Sequence, residues 1–282
     1  MPVAVVADSA AALPAELAAE HGITVVPLTI VIGDTEYRDG DLPLDEVLDR
    51  LDEGVSTSAP SPGEFAAGIE AALVGADSVL VVTIASALSA TYEAAVTAAE
   101  DVEAPCRVVD AETAAGAEAL VVLAAARTAR AGGDLEDVEA AAKTVISKVR
   151  LIATLDSLDR LVESGRVPGI AGWAGRSLGV NPLFEFRQGG VKKMRPAFSR
   201  DAALDRIVAA CFRDRPESEA HLHAAVLHAV DETTAEHLRD VVLWEEPDAD
   251  VFVGPFSPVM VAHTGPRLAG LAWWWEERAD AR

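Results

Sequence analysis

The sequence predicts an α/β protein of two domains, the first built on a largely parallel sheet. Three observations carry that prediction. The chain has 282 residues, enough for two domains at roughly 150 residues each. Half of these residues are hydrophobic, with the bulk coming from Ala, Val and Leu and only 5% aromatic, and so much apolar material excludes a disordered chain. Short β-branched runs also alternate with Ala-rich stretches at helical spacing, the strand, turn and helix rhythm that builds parallel sheets.

Val3 to Ala7 reads as a buried strand that runs into the polar turn Asp8-Ser9. A helix follows, with Pro14 near its start and Gly22 past its end. Ile23 to Ile32 returns to β-branched residues and closes at the Gly33-Asp34 turn. Leu44, Val47, Leu48 and Leu51 fall at helical spacing. Ser61-Pro62-Gly63-Glu64 sets a capping serine, a proline at the first helical position and a glutamate three residues after the cap, so a helix starts there. Ser78 to Ile84 is the next strand, Ser89 to Ala99 a helix, and Cys106 to Val109 a third buried strand ending at Asp110. Two helices follow, about Ala114 to Ala131 and Leu135 to Lys148, separated by Gly132-Gly133.

The pattern changes near Val149, which divides the chain into a domain of residues 1–148 and one of residues 149–282. Leu151 to Leu155 reads as a strand, Ser157 to Ser164 as helix-like, and glycines recur from Gly165 to Gly179. Leu183 to Arg187 and Val191 to Met194, joined by Gln188-Gly189-Gly190, read as a β-hairpin. Leu204 to Phe212 is helical, His221 to Val230 a strand, Thr233 to Val242 a helix and Val251 to Gly254 a strand.

Charge narrows the function. With 46 acidic against 23 basic side chains the net charge is −23, which speaks against binding nucleic acid or an anionic membrane surface through a basic face. Cys106 and Cys211 lie far apart with no metal-ligand spacing around them, so no disulfide framework or zinc knuckle is expected. No Lys or Arg precedes Arg38 and no apolar run approaches the ~20 residues of a spanning helix. A cytoplasmic protein is expected.

Ligands of open α/β sheets bind beyond the carboxyl ends of the strands, so the turns Asp8-Ser9, Thr57 to Ser61, Ser86 to Tyr92 and Asp110 to Thr113 are where chemistry is sought. They are rich in hydroxyls and contain no Gly-rich phosphate loop. Ser61 is committed to its cap, whereas Thr57 and Ser58 are free of that role. Ser89 precedes a helix and reads equally well as its N-cap, a position where helix N-terminal amides favour a carboxylate. Of the histidines, His21 is a helix C-terminal residue beside Gly22. His221 and His223 share one face of a strand, but no nearby carboxylate or cysteine completes a metal site, and none is expected. His263 stands in Val261-Ala262-His263-Thr264-Gly265-Pro266, read as a strand end before a turn. Arg166, after Gly165, is a second cationic candidate, with a surface salt bridge as its alternative role.

Together Asp8 to Pro14, Thr57-Ser58-Ala59-Pro60-Ser61, Thr83 to Tyr92, Leu158 to Val167 and His263-Thr264-Gly265-Pro266 resemble the DegV family, in order over essentially the whole chain. The resemblance implies two α/β domains with a ligand crevice and acyl tunnel between or beside them. It implies a non-enzymatic, lipid-binding subunit of bacterial fatty acid kinase, in phospholipid metabolism, that needs no cofactor. Its ligand is a long-chain fatty acid, presented to a separate ATP-dependent kinase subunit that makes acyl phosphate. Carried over by motif, Thr57 and Ser89 hold the carboxylate, with Ser86, Arg166 and His263 as supporting polar groups. The sequence departs from the family pattern at Ala85 and Ala90, where a serine and a glycine are usual, at Arg267 for a glycine and at Asn181 for a lysine.

Two other readings use the same residues. A hydrolase or acyltransferase would pair Ser89 as nucleophile with His263 as base. An interaction module would use Arg187 to Arg200, the one locally basic stretch, whose plainer reading is a solvated hairpin. Trp273-Trp274-Trp275, read as helical, admits a transient membrane contact; one ring is then expected in the core, and Glu276 and Glu277 oppose anionic lipid.

Overall fold

The structure is a computed structural model that describes residues 2–166 and 180–277; Met1, 167–179 and 278–282, and with them Val167 and the glycine-rich run up to Gly179, lie outside the described residues. In chain order the first half contains β1 (Val3–Asp8), α1 (Ala15–His21), β2 (Ile23–Val26), β3 (Thr29–Ile32), β4 (Thr35–Arg38), α2 (Leu44–Asp49) and β5 (Val55–Ser58). It continues through α3 (Pro62–Ala72), β6 (Ser78–Thr83), α4 (Thr91–Glu100), β7 (Cys106–Asp110), α5 (Ala115–Arg130) and α6 (Leu135–Lys148). The second half contains β8 (Arg150–Thr154), α7 (Asp159–Glu163), β9 (Leu183–Arg187), β10 (Gly190–Lys193), α8 (Arg200–Arg213) and β11 (Ala220–His228). It ends with α9 (Glu232–Glu245), β12 (Asp250–Pro255), α10 (Pro258–Thr264) and β13 (Ala269–Glu277).

The first sheet is all parallel, in the order β2-β1-β6-β7. β6 is buried at every position, as a strand covered on both faces must be. Its side chains divide by the period of two: Val79 and Val81 pack with Phe65 of α3 and Ala95 of α4, whereas Leu80 and Val82 face the other way, into the cluster that contains α5. Ser61 caps α3 through a complete capping box, its Oγ accepting from Glu64 N–H at 3.2 Å while Glu64 Oε2 accepts from Ser61 N–H at 2.8 Å.

The run Ile23 to Ile32 is two strands rather than one. Pro27 has no N–H to give a ladder, and beyond it β3 leaves the parallel sheet for a small antiparallel one, β4-β3-β5. Gly33-Asp34 is the two-residue turn of the β3–β4 hairpin, with Gly33 at φ +60°. The expected hairpin of β9 and β10 forms as well, and its loop residues Gln188 and Gly189 both have positive φ, at 51° and 70°, the pattern of a type I′ turn.

The second sheet runs β10-β9-β8-β13-β11-β12 and is antiparallel except between β11 and β12. The three tryptophans lie on strand β13, not on a helix, because a buried central strand accepts aromatic residues readily. Trp273 and Trp275 point towards α8 and α9, and Trp274 points to the opposite face, among the residues around α5. All three are buried, so they present no aromatic belt to a membrane. No helix among the described residues is long and apolar enough to cross one.

α5 lies between the two sheets and packs on β1 and β6 on one side and on β11 and β13 on the other. The contact with β11 is close because Gly116 has no side chain: a Cβ there would stand 2.6 Å from both Ala225 Cβ and Leu227 Cδ2.

Candidate functional site

Four of the five polar candidates reach one place from four separate segments of the chain. β5 ends before Pro60 and leaves Thr57 half-buried, with Oγ1 2.7 Å from Nε2 of His263, 206 positions away in sequence. Thr57 and Ser58 belong to the strand itself rather than to a turn after it. His263 is in the last turn of helix α10, not at a strand end. That helix starts with the same device as α3: Ser257 caps it through Met260 N–H, and Pro258 takes its first position. The Ser-Pro pair at 257–258 is the sequence signal that would have identified it.

Ser89 lies in the turn after β6, its Oγ 2.8 Å from Oγ1 of Thr91. It is not a helix cap: Ala90 holds that position at φ −75° and no side chain caps α4. The first-turn N–H groups of α4 therefore follow Ser89 without an intrahelical or side-chain partner among the described residues, an arrangement that favours negative charge. The backbone angle at Ala90 is ordinary for an L-residue, so a glycine is not needed there.

Thr57, Ser89, Arg166 and His263 all line one cavity. Most of the remaining wall is apolar, drawn from the second sheet, from α5 and from the loops after β2 and β6, and includes Ala115, Leu151, Phe184, Phe186 and Phe256. Ser86 is not brought into it. That residue is exposed, and its N–H donates to Asp110 Oδ2 at 3.2 Å.

Burial and the charge of Arg166 together lower the His263 pKa to about 4, so the imidazole is neutral at neutral pH. Its observed partner is Thr57, and no hydrogen bond joins it to Ser89 among the described residues. The nucleophile and base pair of a serine hydrolase is therefore not formed. Arg166 itself is exposed, with Nη1 donating to the Ser164 carbonyl at 3.2 Å.

Carboxylates at the strand ends hold the surrounding loops rather than enter the cavity. Asp8 is fully buried and accepts from Ala10 N–H at 2.9 Å and Ile84 N–H at 2.8 Å. Ser9 donates to Asp39 Oδ2 at 2.7 Å and accepts from Leu28 N–H, and Asp39 Oδ1 accepts from Val259 N–H at 3.1 Å. Asp39 thus ties the β1 turn to the start of α10 and fixes the helix that carries His263. Nothing in the local sequence around Asp39 signals this, because its partners are 30 and 220 positions away.

A second polar cluster lies apart from the cavity. His221 and His223 have a carboxylate neighbour after all, Asp250 at the start of the adjacent parallel strand β12.

A family model described as an uncharacterised protein of the DegV family matches residues 2–276. A DegV domain-containing protein of Streptomyces coelicolor is 36% identical over 277 residues, covering 95% of this chain and 97% of its own. A structure described as fatty acid binding of a DegV family protein from Thermus thermophilus is 29% identical with a TM-score of 0.89, covering 97% of this chain and 99% of that one. A DegV lipid-binding protein of Thermotoga maritima is 25% identical with a TM-score of 0.85, covering 99% of this chain and all of the other. With sequence and fold agreeing over nearly its full length, the chain belongs to the DegV family.

Proposed function

We propose that this protein binds a long-chain fatty acid, with the carboxylate held by the hydroxyls of Thr57 and Ser89 and the acyl chain in the cavity behind them. The observation that carries this reading is the combination in one cavity of an apolar wall from the second sheet and α5 with Thr57, Ser89 and a neutral His263. A carboxylate only accepts hydrogen bonds. The useful tautomer of His263 therefore has Nε2–H donating to Thr57 Oγ1, which turns the threonine O–H towards the ligand. Ser89 supplies the second donor, and the uncapped start of α4 adds favourable potential. Each buried CH₂ contributes about 0.8 kcal/mol, so the chain supplies most of the affinity and the hydroxyls set its direction.

In this reading the bound acid is the substrate of a separate ATP-dependent kinase, which transfers a phosphoryl group to a carboxylate oxygen and releases ADP. The exposed basic side chains of Arg187, Lys192 and Arg195 form the face where such a partner would dock. The fatty acid binding described for the relatives from Thermus thermophilus and Bacillus subtilis supports the ligand class.

Mass spectrometry of an organic extract of the purified protein is expected to recover a fatty acid at one equivalent. Hydrogen bonds to a charged group contribute ~1.5–3 kcal/mol each, so Thr57→Val and Ser89→Ala should each weaken oleate binding by about tenfold or more with the fold intact. An extract without lipid from protein that also fails to bind added palmitate or oleate would refute the assignment.

A further inference from the structure

We propose that His221, His223 and Asp250 form a binding site for a zinc-class divalent transition metal at the end of the second sheet opposite the fatty-acid cavity. Nδ1 of His223 and Nε2 of His221 lie 3.2 and 3.4 Å from the same oxygen, Oδ2 of Asp250. Zinc bonds of about 2.0–2.1 Å at the tetrahedral angle separate donor atoms by about 3.3 Å. The three donor atoms lie within 4.8 Å of one another, so only small side-chain adjustments bring all three onto one ion, with the fourth position left to water.

The surroundings prepare these donors for a cation. Nε2 of His223 is 2.9 Å from Oε2 of Glu276, which assigns the ring proton to Nε2 and leaves a lone pair on Nδ1 facing Asp250. This is the carboxylate, histidine and metal relay that orients ligating imidazoles. The ring is also held in place by stacking on Trp274 at 4.8 Å between centroids. Burial lowers the His223 pKa and so favours the neutral, ligating form.

A lone pair aimed at a carboxylate oxygen is repulsive unless positive charge sits between them. Here Arg127 at the end of α5 supplies it, with Nη1 2.7 Å from His223 Nδ1 and Nη2 3.0 Å from Asp250 Oδ2. The guanidinium spans the two donors that a metal would bridge. Its side chain is 40% exposed and can withdraw to solvent when a metal enters. Arg127 therefore competes with the ion, and its removal should tighten binding.

The test is titration of the purified full-length protein with Zn²⁺ alone, in competition with a chromogenic chelator, with a thermal melt as second readout and Mg²⁺ as control. The wild type is expected to bind one equivalent of Zn²⁺ and no Mg²⁺ at the same concentration, and to melt at higher temperature with zinc. Loss of an orienting carboxylate beside a metal-bound histidine weakens affinity by about 10–100-fold, so Glu276→Gln should fall in that range and His221→Ala or Asp250→Asn should lose at least as much. Arg127→Ala should bind more tightly than wild type. His221 and Asp250 are partly exposed, so these variants are expected to keep the fold and the fatty-acid binding of the parent. Failure of both wild type and Arg127→Ala to bind zinc would overturn the proposal, as would one-equivalent binding that survives His221→Ala and Asp250→Asn unchanged.

Discussion

Asp8 and Glu118 are two carboxyl groups with no exposure to solvent, and neither has a cationic partner among the described residues. Burial raises Asp8 to about 7 against the two N–H bonds that oppose the shift. Burial, with Asp8 and Asp110 nearby, pushes Glu118 well above the usual carboxylate range. Among the described residues neither oxygen of Glu118 finds a hydrogen-bond partner, and the hydroxyls of Thr83 and Thr113 are likewise unpaired. Acids whose native pKa exceeds the unfolded value hold extra protons in the folded state, so their contribution is fully favourable below about pH 4 and is lost as pH rises through the folded values. For Asp8 that window ends near pH 7, and the loss is on the order of a few kcal/mol. Urea midpoints should therefore fall between pH 5 and 8, and Glu118→Gln should raise the midpoint at pH 8 while leaving pH 5 little changed. A midpoint independent of pH in the wild type would contradict this account. The sequence marks Asp8-Ser9 as a site of interest, and the residues matter, but as buried fasteners of loops. Thr57, Ser89, Arg166 and His263 were legible as ligand candidates through motif resemblance, whereas their common cavity depends on distant contacts that no local pattern encodes.

Among the elements, those with local punctuation were the most legible. α3 starts at its Ser61-Pro62 signal and α6 has the expected bounds, set by Asp134, which caps it through Glu136 and Asp137 N–H. Elements whose identity depends on partners were less so. β5 is four residues long and exists because β3 offers it an edge, and the tryptophan run is a strand because β8 and β11 flank it. α5 was legible as a helix from its alanines, but not as the central helix of the molecule. Its close approach to β11 depends on Gly116, and a methyl group there would meet Ala225 and Leu227, both fully buried. Overpacking of this kind costs about 1–3 kcal/mol. Gly116→Ala is therefore expected to lower the unfolding free energy by that amount, read as a lower urea midpoint at unchanged slope, although alanine has the higher helix propensity. An unchanged or raised midpoint would show that α5 can shift away from β11 without penalty.

For the whole molecule, the parallel sheet and the small antiparallel sheet precede Val149 and the six-stranded sheet follows it, which supports our proposal of domains at 1–148 and 149–282. Their apolar surfaces are nevertheless not separate. One buried cluster contains Val5 and Leu80 of the first sheet, Leu120 of α5, and Leu151, Ala225 and Trp274 of the second sheet. Cutting the chain at Val149 would expose both faces of that cluster, so each half depends on the other for its core. The cavity lies in the same region and draws its wall from both halves. A fatty acid seated there would stabilise the native arrangement of both, because a ligand that binds only the folded state adds RT ln(1 + [L]/Kd), about 2.7 kcal/mol at a hundredfold excess over Kd. Calorimetry of delipidated protein should then show one transition, which oleate moves upward as a unit by a few degrees. Two transitions, with oleate moving only one, would mean that the halves fold independently and that the ligand is held by one of them. The net charge of −23 sharpens the same measurement. Charge of one sign on both halves repels along the whole surface at low salt and is screened above about 0.1 M, so added salt should raise the single transition with or without oleate, and the shift caused by the ligand should change little, since the acyl chain is the main source of its binding energy.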